Sequence, residues 1–134
     1  MIKAIIIDDE AHARESLTNV IHQYCQEVTV VGTGENVTDA LALINRFSPE
    51  IVFLDIDMPH GNGFTLFDQL KAPNFETIFT TAHEEYAIKA FRVAALDYLT
   101  KPIDFRQLQE AIERYRLKQK IELKEQRIEL LLEN

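Results

Sequence analysis

The chain has 134 residues, of which 46% are hydrophobic and 27% charged. This length and composition are those of one folded domain with its own core, and they argue against a chain that is disordered throughout. The formal net charge of -8 argues against a basic face that would bind nucleic acid or an anionic membrane through this segment itself.

Apolar runs alternate with segments of 3.6-residue periodicity along most of the chain, a pattern typical of βα units. Strands are predicted at Ile2–Ile7, Val28–Gly32, Glu50–Leu54, Thr77–Thr80 and Ala95–Leu99. Helices are predicted at Ala11–Cys25, Val37–Phe47 with Asn36 as its cap, Phe64–Leu70, Glu84–Phe91 and from about Asp104 onward. The strands lack the polar alternation of a half-solvated sheet, so we expect a parallel α/β sheet with helices on both faces.

Neither a secretion signal nor a membrane span is indicated. The N-terminal apolar run stops at two aspartates, and no run approaches the roughly 20 apolar residues of a span. Cys25 is the only cysteine, so no internal disulfide can form, and its place on an apolar helix stripe predicts a buried hydrophobic residue. We therefore expect a cytoplasmic protein without a membrane contact.

Three of the predicted strands lead directly into reactive residues. The first runs into Asp8 and Asp9, the third into Asp55, and the run Leu96 to Thr100 at the fifth strand into Lys101. Because the carboxyl ends of parallel strands meet at one edge of a sheet, we expect these side chains to converge. Like charges that close repel one another, and a set of carboxylate oxygens suits a hard cation such as Mg²⁺.

Four motifs give the chain a family resemblance. They are Asp8-Asp9-Glu10, Leu54 to Pro59 with Gly63, Thr81-Ala82, and Asp97 to Pro102. In this order and spacing they resemble the receiver domains of bacterial two-component response regulators, from Ile2 to about Tyr115. The stretch 81–87, with Ala90-Phe91 and Asp97-Tyr98, further resembles the receivers of LytR/AlgR-type regulators.

The resemblance implies an architecture and a domain division. The fold would be the flavodoxin-like (βα)5 doubly wound sandwich, with a five-stranded parallel sheet in the order 2-1-3-4-5 and an extended C-terminal helix. Residues 1–117 would form the receiver domain, and residues 118–134 a helical linker toward an effector domain that this chain lacks. In the LytR/AlgR group that domain is usually a LytTR DNA-binding domain.

The resemblance also assigns the metal and the phosphoryl acceptor. Asp55 would be the nucleophile that forms an aspartyl phosphate. Asp9 and Asp55 would bind Mg²⁺ directly, Asp57 would supply its main-chain carbonyl, and Asp8 would act mainly through water. The side chain of Asp57 occupies a variable position from which it can influence hydrolysis of the phosphoaspartate, and His83 occupies another.

The signalling residues follow from the same resemblance. Lys101 would pair with one phosphoryl oxygen and the Thr81 hydroxyl would donate to another, with the Lys101-Pro102 bond cis. Thr81 and Tyr98 would be the switch residues. A sensor histidine kinase would be the phosphoryl source, and the chain would catalyse only its own phosphorylation and dephosphorylation.

The expected output surface is the face formed by the fourth predicted helix, the fifth strand and the fifth helix. Homodimerisation on phosphorylation is expected there, with Lys89, Phe91, Ala94 and Ala95 near the surface. DNA would be contacted only through the missing C-terminal domain.

Two alternatives remain open from the residues. Asp55-Ile56-Asp57 resembles the nucleophile motif of haloacid-dehalogenase-type phosphatases, although Pro59 stands where that family has Thr or Val, and Asp8 and Asp9 would be unexplained. A receiver-like interaction module that is never phosphorylated is the other alternative. Taken singly, each residue also has a plain explanation, for example the two aspartates as charges that favour a helix N-terminus.

The outer surface and the C-terminal segment are less informative. Arg14, Glu15, Glu84 and Glu85 are interpreted as solvated residues. Residues 116–134 contain no Pro or Gly, so a helix should continue there. Its apolar positions 117, 121, 128 and 131 could form a short dimer seam interrupted by Lys124, and a solvated linker helix is an equal alternative.

Overall fold

The computed structural model describes residues 1–58, 74–86 and 95–133. Five strands form a single parallel sheet in the order β2-β1-β3-β4-β5. Their bounds are Ile2–Ile7 for β1, Val28–Gly34 for β2, Ile51–Asp55 for β3, Glu76–Thr81 for β4 and Asp97–Thr100 for β5. The predicted fold class and strand order are therefore confirmed.

Three α-helices accompany these strands within the described residues. They are α1 at Ala11–Tyr24, α2 at Val37–Phe47 and the C-terminal helix at Phe105–Glu133. A short 3-10 turn at Glu84–Tyr86 stands where the fourth helix was predicted to begin. The predicted helix at Phe64–Leu70 and the rest of the one ending at Phe91 lie outside the described residues.

Local sequence signals explain how α2 begins and ends. The Asn36 side chain caps the helix by accepting a hydrogen bond from the Asp39 N–H at 2.8 Å, as predicted. The Asp39 side chain in turn bonds to the residue before the cap, because its Oδ2 accepts a hydrogen bond from the Glu35 N–H at 2.9 Å. The helix ends at Phe47, and the C-cap residue Ser48 has a φ of 46°, which places it in the left-handed region.

The strands send alternate side chains to two separate cores, one on each face of the sheet. Ala4, Ile6 and Phe53 pack in the core that includes residues of α1 and the C-terminal helix. Ile5 and Val52 face the second core, which includes Ala40 of α2. Both faces are thus covered, which is why the strands read as continuous apolar runs.

The C-terminal helix has a packed part and an exposed part. Its buried residues are Leu108, Ala111, Ile112 and Tyr115. Beyond them, Leu117, Ile121 and Ile128 are about half exposed.

Among the described residues, none of the helices combines the length and the apolar character that a membrane span requires.

Candidate functional site

The strand register aligns the carboxyl ends of four neighbouring strands at one edge of the sheet. The pairs at that edge are Ile7 with Leu54, Asp55 with Thr80, and Thr81 with Thr100. Backbone hydrogen bonds continue the ladder past the strands, because Lys101 N–H donates to the Thr81 carbonyl at 2.7 Å. The residues that end β3 and β4 or follow β1 and β5 therefore lie side by side.

Three carboxylates meet at this edge. Asp8, Asp9 and Asp55 each offer an oxygen, and these oxygens all lie within 4.8 Å of one another. Asp8 and Asp55 are buried, and Asp9 is more exposed. An all-oxygen, anionic donor set of this kind suits a hard divalent cation.

Lys101 supplies the only ammonium that the described residues place in this cluster. Its Nζ lies 2.9 Å from Asp8 Oδ2 and 3.5 Å from Asp55 Oδ2. Lys101 follows β5 directly, and its peptide bond to Pro102 is cis, as the resemblance implied. With three carboxylates against one ammonium, the fully ionised cluster carries excess negative charge.

Burial changes the proton affinities at the site. It raises the pKa of Asp55 to about 6, and the charge of Asp8 adds to the rise, against the Asp57 N–H and Lys101, which lower the pKa. For Lys101, burial acts to lower the pKa, but its hydrogen bond to Asp8 and the charge of Asp55 outweigh burial and raise it. Lys101 therefore stays charged. An additional cation at the site would stabilise the ionised form of Asp55.

Asp57 is held away from the three-carboxylate cluster by two hydrogen bonds to the end of β4. Its Oδ2 accepts from the Thr81 hydroxyl at 3.0 Å and from the Ala82 N–H at 3.2 Å. Its own N–H donates to Asp55 Oδ1 at 3.0 Å. The Thr81 side chain is completely buried and its Oγ1 also accepts from the His83 N–H at 3.0 Å.

One expectation about the surface is wrong. Arg14 was interpreted as a solvated residue, but its side chain is only 16% exposed and donates to the Asp8 main-chain carbonyl at 2.7 Å. A second contact joins it to Glu35 at 3.5 Å. A basic residue in the first turn of a helix opposes the helix dipole, and this unusual placement was the signal of a specific partner. Arg14 helps to fix the loop that carries Asp8 and Asp9.

The remaining predicted site residues lie around this edge. Tyr98 is partly buried and packs against the core on the α2 face. His83 is about half exposed, with its Nδ1 3.6 Å from a Glu85 carboxylate oxygen. Lys89, Phe91 and Ala94 lie outside the described residues, as do Pro59 and Gly63 of the second motif.

The cluster can carry out one kind of chemistry on general grounds. Asp55 lies between the Lys101 ammonium and the carboxylate oxygens that could hold a cation. A carboxylate in this position can act as a nucleophile toward an electrophile that bears negative charge, because the ammonium and a bound cation would offset the repulsion between the two anions. The Thr81 hydroxyl and the Ala82 N–H, at the end of the adjacent strand β4, are further hydrogen-bond donors near this carboxylate.

The response regulator receiver domain family matches residues 4–113 of this chain. The chain belongs to that family, which sets aside the phosphatase alternative. It is similar to the transcriptional regulatory protein BtsR of Escherichia coli, with 39% identity over 135 residues, 100% of this chain and 54% of the relative. It is also 37% identical to the sensory transduction protein LytT of Bacillus anthracis, over 94% of this chain and 52% of the relative.

These relatives support the placement among LytTR-type regulators, and the chain spans about half of their length. Solved structures agree on the fold. The REC domain of the response regulator AraT from Geobacillus stearothermophilus matches with a TM-score of 0.76 at 33% identity, covering 90% of this chain and 97% of that one. The response regulatory domain of mrkE from Klebsiella pneumoniae matches with a TM-score of 0.75 at 28% identity, covering 87% and 97%.

Proposed function

We propose that this chain is the phosphoacceptor domain of a two-component response regulator, with Asp55 as the residue that a sensor histidine kinase phosphorylates. The observation that carries the proposal is the meeting of Asp8, Asp9 and Asp55 with the Lys101 ammonium at the carboxyl edge of the sheet. The intact set also speaks against a receiver-like module that is never phosphorylated.

In the proposed reaction, an oxygen of Asp55 attacks the phosphorus of the donor, and the bond between phosphorus and the donor atom breaks with its electron pair leaving on the donor. Lys101, now paired with Asp8 and Asp55, would turn to a phosphoryl oxygen. The chain would thus catalyse only its own phosphoryl transfer and later hydrolysis.

The proposed cofactor is Mg²⁺. Asp9 and Asp55 would hold it directly, Asp57 through its main-chain carbonyl, and Asp8 mainly through water. The three-carboxylate cluster and its excess negative charge support this choice. The ion would supply positive charge that offsets the repulsion between Asp55 and an incoming phosphoryl group.

The proposed output is a change at the face of β5 and the C-terminal helix. The Thr81 side chain would turn to the phosphoryl group, and the Tyr98 side chain would move inward after it. This change would favour a homodimer through the fourth predicted helix, β5 and the C-terminal helix. An ion pair between Asp97 and Arg114 joins β5 to the C-terminal helix there. Because BtsR is named a transcriptional regulatory protein, we propose LytTR-type DNA binding by a further domain as the final readout.

The proposed division places the receiver at residues 1–117 and a linker helix at residues 118–134. The packed positions of the C-terminal helix end at Tyr115, and the exposed apolar positions begin at Leu117. Lys124 interrupts the apolar seam of this segment. A wild type with the mass of a dimer in solution that becomes monomeric in Ile121→Lys would assign the segment to a coiled coil, and a monomeric wild type would assign it to a solvated linker helix.

A direct test uses acetyl phosphate and Mg²⁺, with intact mass as the measurement. The wild type should gain one phosphoryl group that neutral hydroxylamine removes, and Asp55→Asn should gain none. Asp97→Asn is the matched control, since Asp97 lies at the opposite end of β5 from Lys101 and should leave phosphorylation unchanged. A wild type that stays unmodified would contradict the proposal and would favour an interaction module.

A further inference from the structure

The Asp57 carboxylate collects two hydrogen-bond donors from successive residues. A single oxygen, Oδ2, accepts from the Thr81 hydroxyl at 3.0 Å and from the Ala82 main-chain N–H at 3.2 Å. Thr81 ends β4 and Ala82 follows it, and β4 pairs with β3 through Asp55 and Thr80. The contact therefore stands beside the proposed phosphoacceptor, on the adjacent strand.

The hydroxyl of Thr81 has one proton and can donate it to only one strong acceptor at a time. Its oxygen already accepts a hydrogen bond from the His83 N–H at 3.0 Å. Two acceptors lie within reach of its proton, and the anionic Asp57 Oδ2 at 3.0 Å is closer than the His83 main-chain carbonyl at 3.4 Å, so Asp57 is the favoured acceptor. The side chain is completely buried, so water does not compete for that proton. If the hydroxyl is to donate to a phosphoryl oxygen, it must first leave Asp57.

We propose that Asp57 is a positioning residue that holds Thr81 and Ala82 in the unphosphorylated arrangement, by offering them the kind of anionic oxygen that a phosphoryl group would later offer. This inference rests on the proposed function and deepens it, because it names a competitor for the switch residue. The carboxylate would set how readily phosphorylation changes the loop that runs from Thr81 into the turn at Glu84–Tyr86.

The same contact gives Asp57 two separable contributions. Its oxygen competes for the Thr81 proton, and its negative charge repels an incoming anion near Asp55. Asp57→Ala removes both, whereas Asp57→Asn removes the charge and keeps an amide oxygen that accepts a weaker hydrogen bond. Neither variant removes the main-chain carbonyl of Asp57, which is its proposed metal ligand.

The test measures binding of beryllofluoride, a phosphoryl analogue, to the whole chain at saturating Mg²⁺. Asp57→Ala should bind about tenfold more tightly than the wild type, as loss of a charge-assisted competitor predicts, and Asp57→Asn about threefold. Glu84→Gln is the matched control, because it removes a carboxylate from the neighbouring turn without touching Thr81, and its affinity should stay within about twofold of the wild type.

A second readout concerns the resting protein, free of Mg²⁺ and beryllofluoride. In ¹H–¹⁵N spectra the Ala82 amide proton should move upfield and exchange faster with solvent in Asp57→Ala, and it should remain unchanged in Glu84→Gln. An unchanged Ala82 amide, or equal affinities in Asp57→Ala and Asp57→Asn, would overturn the inference, since the hydrogen bonds would then carry no weight.

Failure of the inference is distinguishable from failure of the proposed function. If the wild type binds beryllofluoride, Asp55→Asn does not, and the Asp57 variants match the wild type, only the role of Asp57 is refuted. If the wild type does not bind it at all, the phosphoacceptor assignment falls and this inference falls with it.

Discussion

Replacing Asp55 by Asn should stabilise the metal-free protein at neutral pH. Burial raises the pKa of Asp55 from 3.8 to about 6, and this difference corresponds to about 3 kcal/mol spent on ionising the carboxyl in the folded state. Asparagine avoids that charge but weakens the 3.5 Å contact with Lys101. We therefore expect the free energy of unfolding to rise by about 1–3 kcal/mol.

The effect should depend on pH with a definite sign. Because the folded-state pKa lies above the unfolded one, the contribution of this carboxyl to stability is fully present below about pH 4 and is lost as the pH rises through about 6. The advantage of Asp55→Asn should therefore be largest above pH 6 and should disappear near pH 4.

The assay is urea unfolding followed by circular dichroism at pH 7.5 and pH 4, in a chelator and again in excess Mg²⁺. Asp9→Asn is the control, because Asp9 belongs to the same cluster but is more exposed, and its gain should be smaller. Mg²⁺ should stabilise the wild type and act little on Asp55→Asn. The reasoning is refuted if Asp55→Asn is no more stable than the wild type at pH 7.5 without metal.

Three further outcomes are expected. In calorimetric titrations the Mg²⁺ affinity should fall as the pH drops below about 6, because protons then compete for Asp55; a flat profile from pH 8 to pH 5 would contradict this. Lys101→Met should lower the free energy of unfolding by roughly 1–3 kcal/mol in chelator, since Asp8 and Asp55 lose their shared ammonium, and Mg²⁺ should recover part of the loss; an unchanged urea midpoint would refute the pairing. Gly34→Ala should cost about 1–3 kcal/mol in the same unfolding assay, because its Cβ would lie 2.6 Å from the Asp39 Cβ; wild-type stability would mean that the strand end yields more easily than the packing suggests.

The bounds of secondary-structure elements were predicted best where the hydrophobic pattern is strong. The strand Ile2–Ile7, which is buried on both faces from Ala4 onward, has the predicted bounds, and so does Val37–Phe47, where Asn36 marks the start. Strand ends were less accurate. The second strand continues to Gly34, two residues past its predicted end, because the register with β1 pairs Ile7 with Gly34. A partner strand thus extends pairing through residues whose own preference is a loop.

The site illustrates the same difference between local and distant information. Asp8, Asp9, Asp55 and Lys101 could be grouped because each follows a strong apolar run at the end of a parallel strand. The contact between Asp57 and Thr81 could not be predicted, because it depends on the side-chain orientations of a residue beyond the end of β3 and of the last residue of β4. It joins residues that are 24 positions apart, and no periodicity encodes it.

The continuity of the C-terminal helix has a mechanical consequence. From Arg116 to Glu133 the helix extends about 27 Å past Tyr115, its last packed residue, at 1.5 Å per residue. Such a rod amplifies motion at its base, since a tilt of about 5° there displaces the tip by about 2 Å. Ion pairs of Arg116 with Glu27 and of Lys118 with Glu76 attach the base of this segment to the rest of the domain. The strength of these contacts therefore limits how far the projecting helix can tilt.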